Sequence, residues 1–176
     1  LSLLFIFYLM HRRYLIPIVK ERIRRAFKLW YLIIGGGIVV FTLNAGIGYL
    51  LEHVLHLDNT QNQAMIEAMF EHQWLWPFLF ISIVVLAPIV EELLYRHVII
   101  HELGKKIGNV LATLLSIILF AGIHMMYATS IYEALPYVMM GTVFSIVYLM
   151  SRKNLAVAIL LHAFNNAIGF ILMLFS

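Results

Sequence analysis

The sequence predicts an all-α protein: a polytopic bundle of transmembrane helices that encloses an intramembrane polar cavity. Of its 176 residues, 63% are hydrophobic and 12% are charged, and this charged fraction is about half that of a soluble domain. The apolar residues form continuous runs and do not alternate with polar ones, which favours membrane helices over an outer-membrane barrel. We interpret residues 1–176 as a single membrane domain, in which 74–176 form the core that bears the motifs described below.

Five uncharged runs reach or approach the roughly 20 residues that a helix needs to cross a bilayer. These runs are 29–51, 74–90, 107–132, 134–151 and 154–176. A sixth apolar run, 1–10, is too short to cross alone, and we expect residues 1–28 to be a partial first helix followed by a basic interfacial segment. The cations of that segment alternate with apolar residues, a pattern typical of a helix that lies on anionic lipid.

The positive charges predict how the chain is oriented. Apart from Arg96, every Lys and Arg lies in residues 12–28, 105–106 or 152–153, whereas the connections 52–73 and around Glu133 carry acids and no Lys or Arg. The positive-inside rule therefore places the three basic sites in the cytoplasm and the C-terminus outside, with five crossings between them. We expect an integral protein of a bacterial plasma membrane, with lipid as one partner and an oligomeric state that the sequence does not indicate.

The predicted outer connection contains one further helical pattern. Within residues 63–71, four apolar residues share one helical face: Met65, Ile66, Met69 and Phe70. We expect this helix to lie on the outer surface. Both a lid and a plain connector fit the pattern, and the connector is the simpler interpretation.

Composition and missing motifs exclude several classes of protein. A net charge of +3 without a broad basic face argues against nucleic-acid binding, and the absence of cysteine excludes thiolate metal sites and a cysteine nucleophile. Asp58, in the predicted outer loop, is the only Asp in the sequence, so a pair of membrane aspartates is excluded. The sequence contains neither H-E-x-x-H nor G-x-S-x-G.

Polar side chains inside the predicted helices are candidates for chemistry, because ionisable groups are costly in a membrane and are usually functional there. The candidates are Glu91, Glu92, Arg96, His124, His162 and Asn166. Residues four apart share a helix face, so Glu92 can reach Arg96, and His162 points the same way as Asn166. Glu91 is turned about 100° from Glu92 and is left free of that ion pair. The plainer alternative is that these groups pair only to hold the helices together.

A carboxylate, two imidazoles and an amide suit attack by water on an amide carbonyl. Burial among apolar side chains disfavours the charged form of a carboxyl group, which suits a general base near neutral pH. One imidazole can polarise the water, and a second imidazole with a carboxamide can donate hydrogen bonds to an oxyanion. Counted at 1.5 Å per residue, His124 lies deeper than the others, and we expect tilt and a bend at Pro88 to reduce this mismatch.

Three short motifs resemble a known family. Residues 91–96 match E-E-x-x-x-R, residues 120–124 match F-x-x-x-H, and residues 162–166 match H-x-x-x-N. In this order, each within a predicted membrane helix, they resemble the CPBP family of CAAX-processing and bacteriocin-processing (Abi) membrane proteases. The resemblance covers about residues 88–166. It departs at His97, where the family commonly has glycine, and we expect this side chain to crowd the groove or alter substrate choice.

The resemblance implies a glutamic intramembrane endopeptidase of the type II CAAX prenyl protease kind. Such an enzyme cuts membrane-associated peptides or CAAX-like protein tails and needs no cofactor. Matching positions assign the roles: water activation to Glu91 and His124, the oxyanion site to His162 and Asn166, and support of the site to Glu92 and Arg96.

Three alternatives stay open. Glu91, His124 and His162 also make up a two-histidine, one-glutamate ligand set that suits catalytic zinc. The same fold could belong to a non-catalytic partner protein that acts in bacteriocin immunity or sensor regulation. A proton-coupled transporter also fits buried Glu and His, but no repeat symmetry supports it.

Overall fold

The computed structural model describes residues 2–57 and 60–175, with side chains from residue 13 onward. Asp58, which entered the exclusion of an aspartyl site, lies outside the described residues. In the described part the secondary structure is helical, without strands. The helices are α1 (Ser2–Lys28), α2 (Trp30–His53), α3 (Gln61–Phe70), α4 (Gln73–Ile107), α5 (Asn109–His124), α6 (Ala134–Met150) and α7 (Leu155–Leu174).

Four helices among the described residues are long and apolar enough to cross a membrane. They are α2, α4, α6 together with the short turn Ile131–Glu133 before it, and α7. The prediction of an all-α polytopic bundle is therefore confirmed, and the protein is an integral membrane protein.

Two of the predicted spans differ in extent from the observed helices. The run 74–90 continues as α4 to Ile107, because the charged residues that ended the uncharged run are accommodated inside the helix. The long helix within the run 107–132 is the 16-residue α5, which ends at His124 and is followed by turns. Apolar composition alone therefore overestimated the length of the third predicted span.

Glycines allow α2 to approach α7 closely. A Cβ atom on Gly37 would lie 2.6 Å from the ring of Phe164, and one on Gly36 would lie 3.0 Å from Leu161. α2 also packs on α6, which in turn lies along α5. The core between these helices includes Val40, Phe120, Phe144, Val157 and Leu161.

The three basic segments lie at one end of the bundle. Asn154, at the start of α7, donates a hydrogen bond to the main-chain oxygen of Arg22 (3.0 Å), and Lys153 donates to Asn109 (2.9 Å), next to the end of α4. The connections without Lys or Arg meet elsewhere, where the main-chain N–H of Gln61 donates to Glu133 (2.7 Å). The basic segments are thus grouped together, whereas the side of the membrane on which they lie and the fifth crossing, over the 16-residue α5, stay predictions.

Candidate active site

A cavity of about 860 Å³ contains the residues that the sequence singled out. Its lining includes Glu91 from α4, His124 from α5, and His162 and Asn166 from α7. Side chains from α2 and α3 complete the wall. Polar groups that are far apart along the chain thus face one common space inside the membrane bundle.

Glu92 and Arg96 form an ion pair beside this cavity and are not accessible to solvent. Their side chains are fully buried, with Arg96 Nη1 donating to Glu92 Oε1 at 2.9 Å. Arg96 Nη2 donates to the main-chain oxygen of Gly141 (3.1 Å), and its guanidinium lies 5.1 Å and 5.6 Å from the ring centroids of Phe120 and Phe144. A charge buried this deeply needs such partners. The pair that helical spacing predicted is therefore present and links α4 to α6.

Glu92 also orients His162. Its Oε1 atom lies 2.9 Å from His162 Nδ1, and since an ionised carboxylate only accepts hydrogen bonds, Nδ1 is the donor. The other ring nitrogen, Nε2, lies 4.0 Å from Glu91 Oε2. That separation is too long for a direct hydrogen bond but short enough for both atoms to contact one water molecule or one substrate group.

Glu91 presents a carboxylate oxygen that has no hydrogen-bond partner among the residues that the structure describes. Glu91 Oε2 is buried, although 24% of the side chain as a whole is exposed to the cavity. Buried polar atoms nearly always have a partner in the protein or in ordered water. The exposed part of the side chain lines the cavity, so the carboxyl group as a whole can contact a group bound there.

His124 is the last residue of α5, and its ring is held in place on two sides. Its Nδ1 atom donates to the main-chain oxygen of Phe120 (2.8 Å), because a carbonyl can only accept. This tautomer leaves Nε2 as the nitrogen with the lone pair. The ring stacks on Tyr137, with centroids 4.6 Å apart and planes 19° apart.

The amide of Asn166 is oriented by a main-chain oxygen of α4. Residues Phe80–Leu86 form a π-helix, in which the N–H of Ala87 donates to Ser82. Pro88 has no N–H to donate, so the main-chain oxygen of Ile83 lacks its usual helical donor. Asn166 Nδ2 donates to that oxygen instead, at 2.9 Å. One N–H of the amide is used here, and its second N–H remains to serve a ligand.

Tyr137, Thr60 and Glu133 belong to the surroundings of the site, and we did not select them from the sequence. The hydroxyl groups of Tyr137 and Thr60 are 2.8 Å apart, and Thr60 caps the start of α3. The buried Glu133 accepts from the N–H groups of Thr129 and Gln61. The Ser130-x-x-Glu133 capping box was the available signal for Glu133, whereas no local pattern marks Tyr137.

The helix α3 contributes to the cavity wall through five of its residues. They are Asn62, Gln63, Ile66, Glu67 and Phe70. The predicted helix is present, but it is more than a plain connector, because it covers one side of the space that Glu91 faces. Met65 and Met69 of the predicted apolar face are 44% exposed.

His97 does not crowd the cavity as expected. It stacks on His101, with ring centroids 5.4 Å apart, and is absent from the described residues that line the cavity. Among the residues that the structure describes, no group of three His, Asp or Glu side chains is placed to hold a metal ion.

Fold and site together define a polytopic membrane protein with a polar cavity formed by glutamate, histidine and asparagine side chains. The family described as type II CAAX prenyl endopeptidase Rce1-like matches residues 73–168. The chain therefore belongs to this family, which agrees with the resemblance carried by the three motifs.

One curated relative is an uncharacterized protein of Mycoplasma capricolum subsp. capricolum (strain California kid). It is 28% identical to the chain over 170 residues, which are 90% of the chain and 49% of the relative. The chain thus spans about half the length of the relative that it matches. No solved structure matches the chain significantly.

Proposed function

We propose that the chain is an intramembrane endopeptidase that hydrolyses a peptide bond in membrane-associated peptides or CAAX-like protein tails. The observation that carries the proposal is the common cavity. Glu91, with a carboxylate oxygen that lacks a partner, faces the same space as two oriented imidazoles and an oriented amide. Membership of a family of endopeptidases supports the same reaction. The relative from Mycoplasma supports a bacterial plasma membrane as the location.

Water activation falls to Glu91 and His124. Glu91 takes a proton from a water molecule whose other hydrogen bond goes to His124 Nε2, the nitrogen with the lone pair. The hydroxide attacks the carbonyl carbon of the scissile bond. Glu91 then gives the proton to the leaving amine nitrogen as the carbon–nitrogen bond breaks, so that protons balance over the reaction.

The oxyanion is stabilised by His162 and Asn166. In its imidazolium form, His162 donates from Nδ1 to Glu92 and from Nε2 to the oxyanion. Asn166 donates its second Nδ2–H, since the first is held by Ile83. Donors fixed before the reaction lower the barrier most effectively, because little reorganisation is needed when the charge develops.

A peptide library tests the proposed function. The purified chain in lipid nanodiscs is incubated with membrane peptides in ¹⁸O-labelled water, and mass spectrometry detects products with a labelled new carboxyl group. We expect such products from the wild type and at most traces of them from Glu91→Gln over the same time. Products formed equally by both would refute the role of Glu91. A phenotype in cells that survives Glu91→Gln, without any products, would favour the non-catalytic partner protein.

Tyr137 is expected to position His124. Tyr137→Leu removes the stacked ring, and we expect kcat to fall roughly threefold to tenfold, the effect of losing one aromatic contact, with KM little changed. Tyr137→Phe keeps the ring and should restore most of kcat. Tyr132→Leu is the control, because that side chain is exposed. Equal losses in the Phe and Leu variants would contradict a positioning role for the ring.

Metal removal separates the proposed mechanism from the zinc alternative. We expect cleavage to be unchanged after strong chelation and metal-free dialysis, because Glu91 and His124 activate the water directly. Loss of activity that Zn²⁺ restores would instead assign Glu91, His124 and His162 as ligands. The measurement is the initial rate of cleavage of one peptide, with the metal content of the sample determined in parallel.

A further inference from the structure

A second cavity, of about 600 Å³, lies at the cationic end of the bundle. Residues from the end of α1, the start of α2 and the connection between α6 and α7 surround it. Four of them are cations: Arg22, Arg25, Lys28 and Arg152. Among the described residues, its lining contains no acidic side chain. The cavity therefore has the charge expected of a site for an anion.

The main chain around this cavity is fixed by buried polar groups. Asn154, 1% exposed, donates to the main-chain oxygen of Arg22 and accepts from the N–H of Ala156. Ser151, 5% exposed, accepts from the N–H of Asn154. These bonds hold α1 against the start of α7. The cations therefore lie on α1 and on the connection between α6 and α7, which are joined by a hydrogen bond, so that α1 is not a free surface helix.

Arg152 faces the cavity from a left-handed turn. Its φ angle is 56° and that of Lys153 is 58°, a conformation that residues with a Cβ atom rarely adopt. Lys153 turns its ammonium group to Asn109, whereas Arg152 lines the cavity. The turn therefore points the side chains of Arg152 and Lys153 to different places, and only Arg152 lines this cavity.

The positive charge of the cavity is only partly neutralised. Arg25 pairs with Glu21 at 2.8 Å, and Arg24 shares the same carboxylate. Among the described residues, Arg22, Lys28 and Arg152 have no acidic partner within ion-pair distance. Like charges that face a common space repel one another unless an anion lies between them.

Neighbouring residues suggest what kind of anion fits. Tyr31, which lines the cavity, is 54% exposed, and the preceding Trp30 is 62% exposed, as aromatic residues are at the level of lipid headgroups. Leu29 and Met150 add apolar surface to the lining. Arginine forks match the oxygens of a phosphate group, and an acyl chain can follow the apolar side.

We propose that this cavity binds the headgroup phosphate of an anionic phospholipid, as a site separate from the cavity around Glu91. Arg22, from α1, and Arg152, from the connection between α6 and α7, contact the phosphate oxygens, and Lys28 adds a third positive charge. The site couples the end of α1 to the connection between α6 and α7, so occupancy also stabilises the contact between these elements.

Native mass spectrometry in a neutral detergent tests the proposal. The purified full chain is titrated with phosphatidylglycerol or with phosphatidylcholine of the same acyl chains. Neutral micelles lack the surface potential that attracts any cation to an anionic leaflet. The variants are Arg22→Gln/Arg152→Gln and the single Arg152→Gln, which changes only an exposed residue of the turn. The control is Arg13→Gln/Lys20→Gln, which removes two exposed cations of α1 that do not line the cavity.

We expect the wild type to retain one phosphatidylglycerol in preference to phosphatidylcholine. The double variant should lose this preference by roughly thirtyfold, the effect of two cations near an anionic headgroup. The single variant should lose part of it, and the control should keep it. An equal loss in the control would overturn the site, as would a wild type without preference. Competition by inorganic phosphate as strong as that by phosphatidylglycerol would overturn the lipid as occupant.

Discussion

Glu91→Gln is expected to reduce the rate of peptide cleavage by roughly 10²–10⁴-fold, the range associated with loss of a general base. Glutamine occupies nearly the same volume but cannot take a proton from water. Because Glu91 is not part of the buried ion pair, folding and membrane insertion should be unaffected. The measurement is kcat/KM on one identified peptide, with the melting temperature of both proteins compared in the same detergent.

The matched control for Glu91 is Glu102→Gln. Glu102 lies on the same helix, is exposed and pairs with Lys105, so its charge is removed without any change in the cavity. We expect its activity to equal that of the wild type. A Glu91→Gln protein as active as the Glu102→Gln protein would contradict water activation by Glu91.

Arg96→Met is expected to destabilise the protein by about 3–5 kcal/mol, because it leaves the carboxylate of Glu92 buried without its cation. Activity should also fall, since Glu92 holds the ring of His162 through Nδ1. The free energy of unfolding is measured by denaturation in mixed micelles. Lys105→Met, which breaks an exposed pair with Glu102, should change it little, because exposed pairs are screened by solvent.

A double variant distinguishes the ion pair from general disruption of the core. Glu92→Gln/Arg96→Met removes both charges and retains an oxygen that can accept from His162. We expect it to lose less stability than Arg96→Met alone, because no charge is left unpaired. A loss equal to the sum of both single variants would show that the two side chains act independently.

Helical spacing predicted one buried contact correctly. Residues four apart share a helix face, and the contact between Glu92 and Arg96 is present. The same rule predicted that Glu91 takes no part in this ion pair, and in the structure it takes no part in it. The continuous apolar runs predicted the membrane bundle, but they overestimated α5 and underestimated α4, because a charge within a helix is tolerated when it is paired.

Two contacts between helices could not be predicted from the sequence. The acceptor of Asn166 is the main-chain oxygen of Ile83, which becomes available only through the π-helix and the missing N–H of Pro88. The sequence predicted a bend at Pro88 but did not reveal that the main-chain oxygen of Ile83 is an acceptor. The stacking of Tyr137 on His124 likewise depends on how α6 packs along α5. Neither contact leaves a periodic signal in the chain.

The most direct test is an experimental structure at a resolution that shows ordered water in the cavity. It should contain one water molecule within about 3.2 Å of both a carboxylate oxygen of Glu91 and His124 Nε2, with His162 Nδ1 on Glu92. A metal ion bound by Glu91, His124 and His162, or side chains of these residues turned toward separate surfaces, would contradict the proposed chemistry.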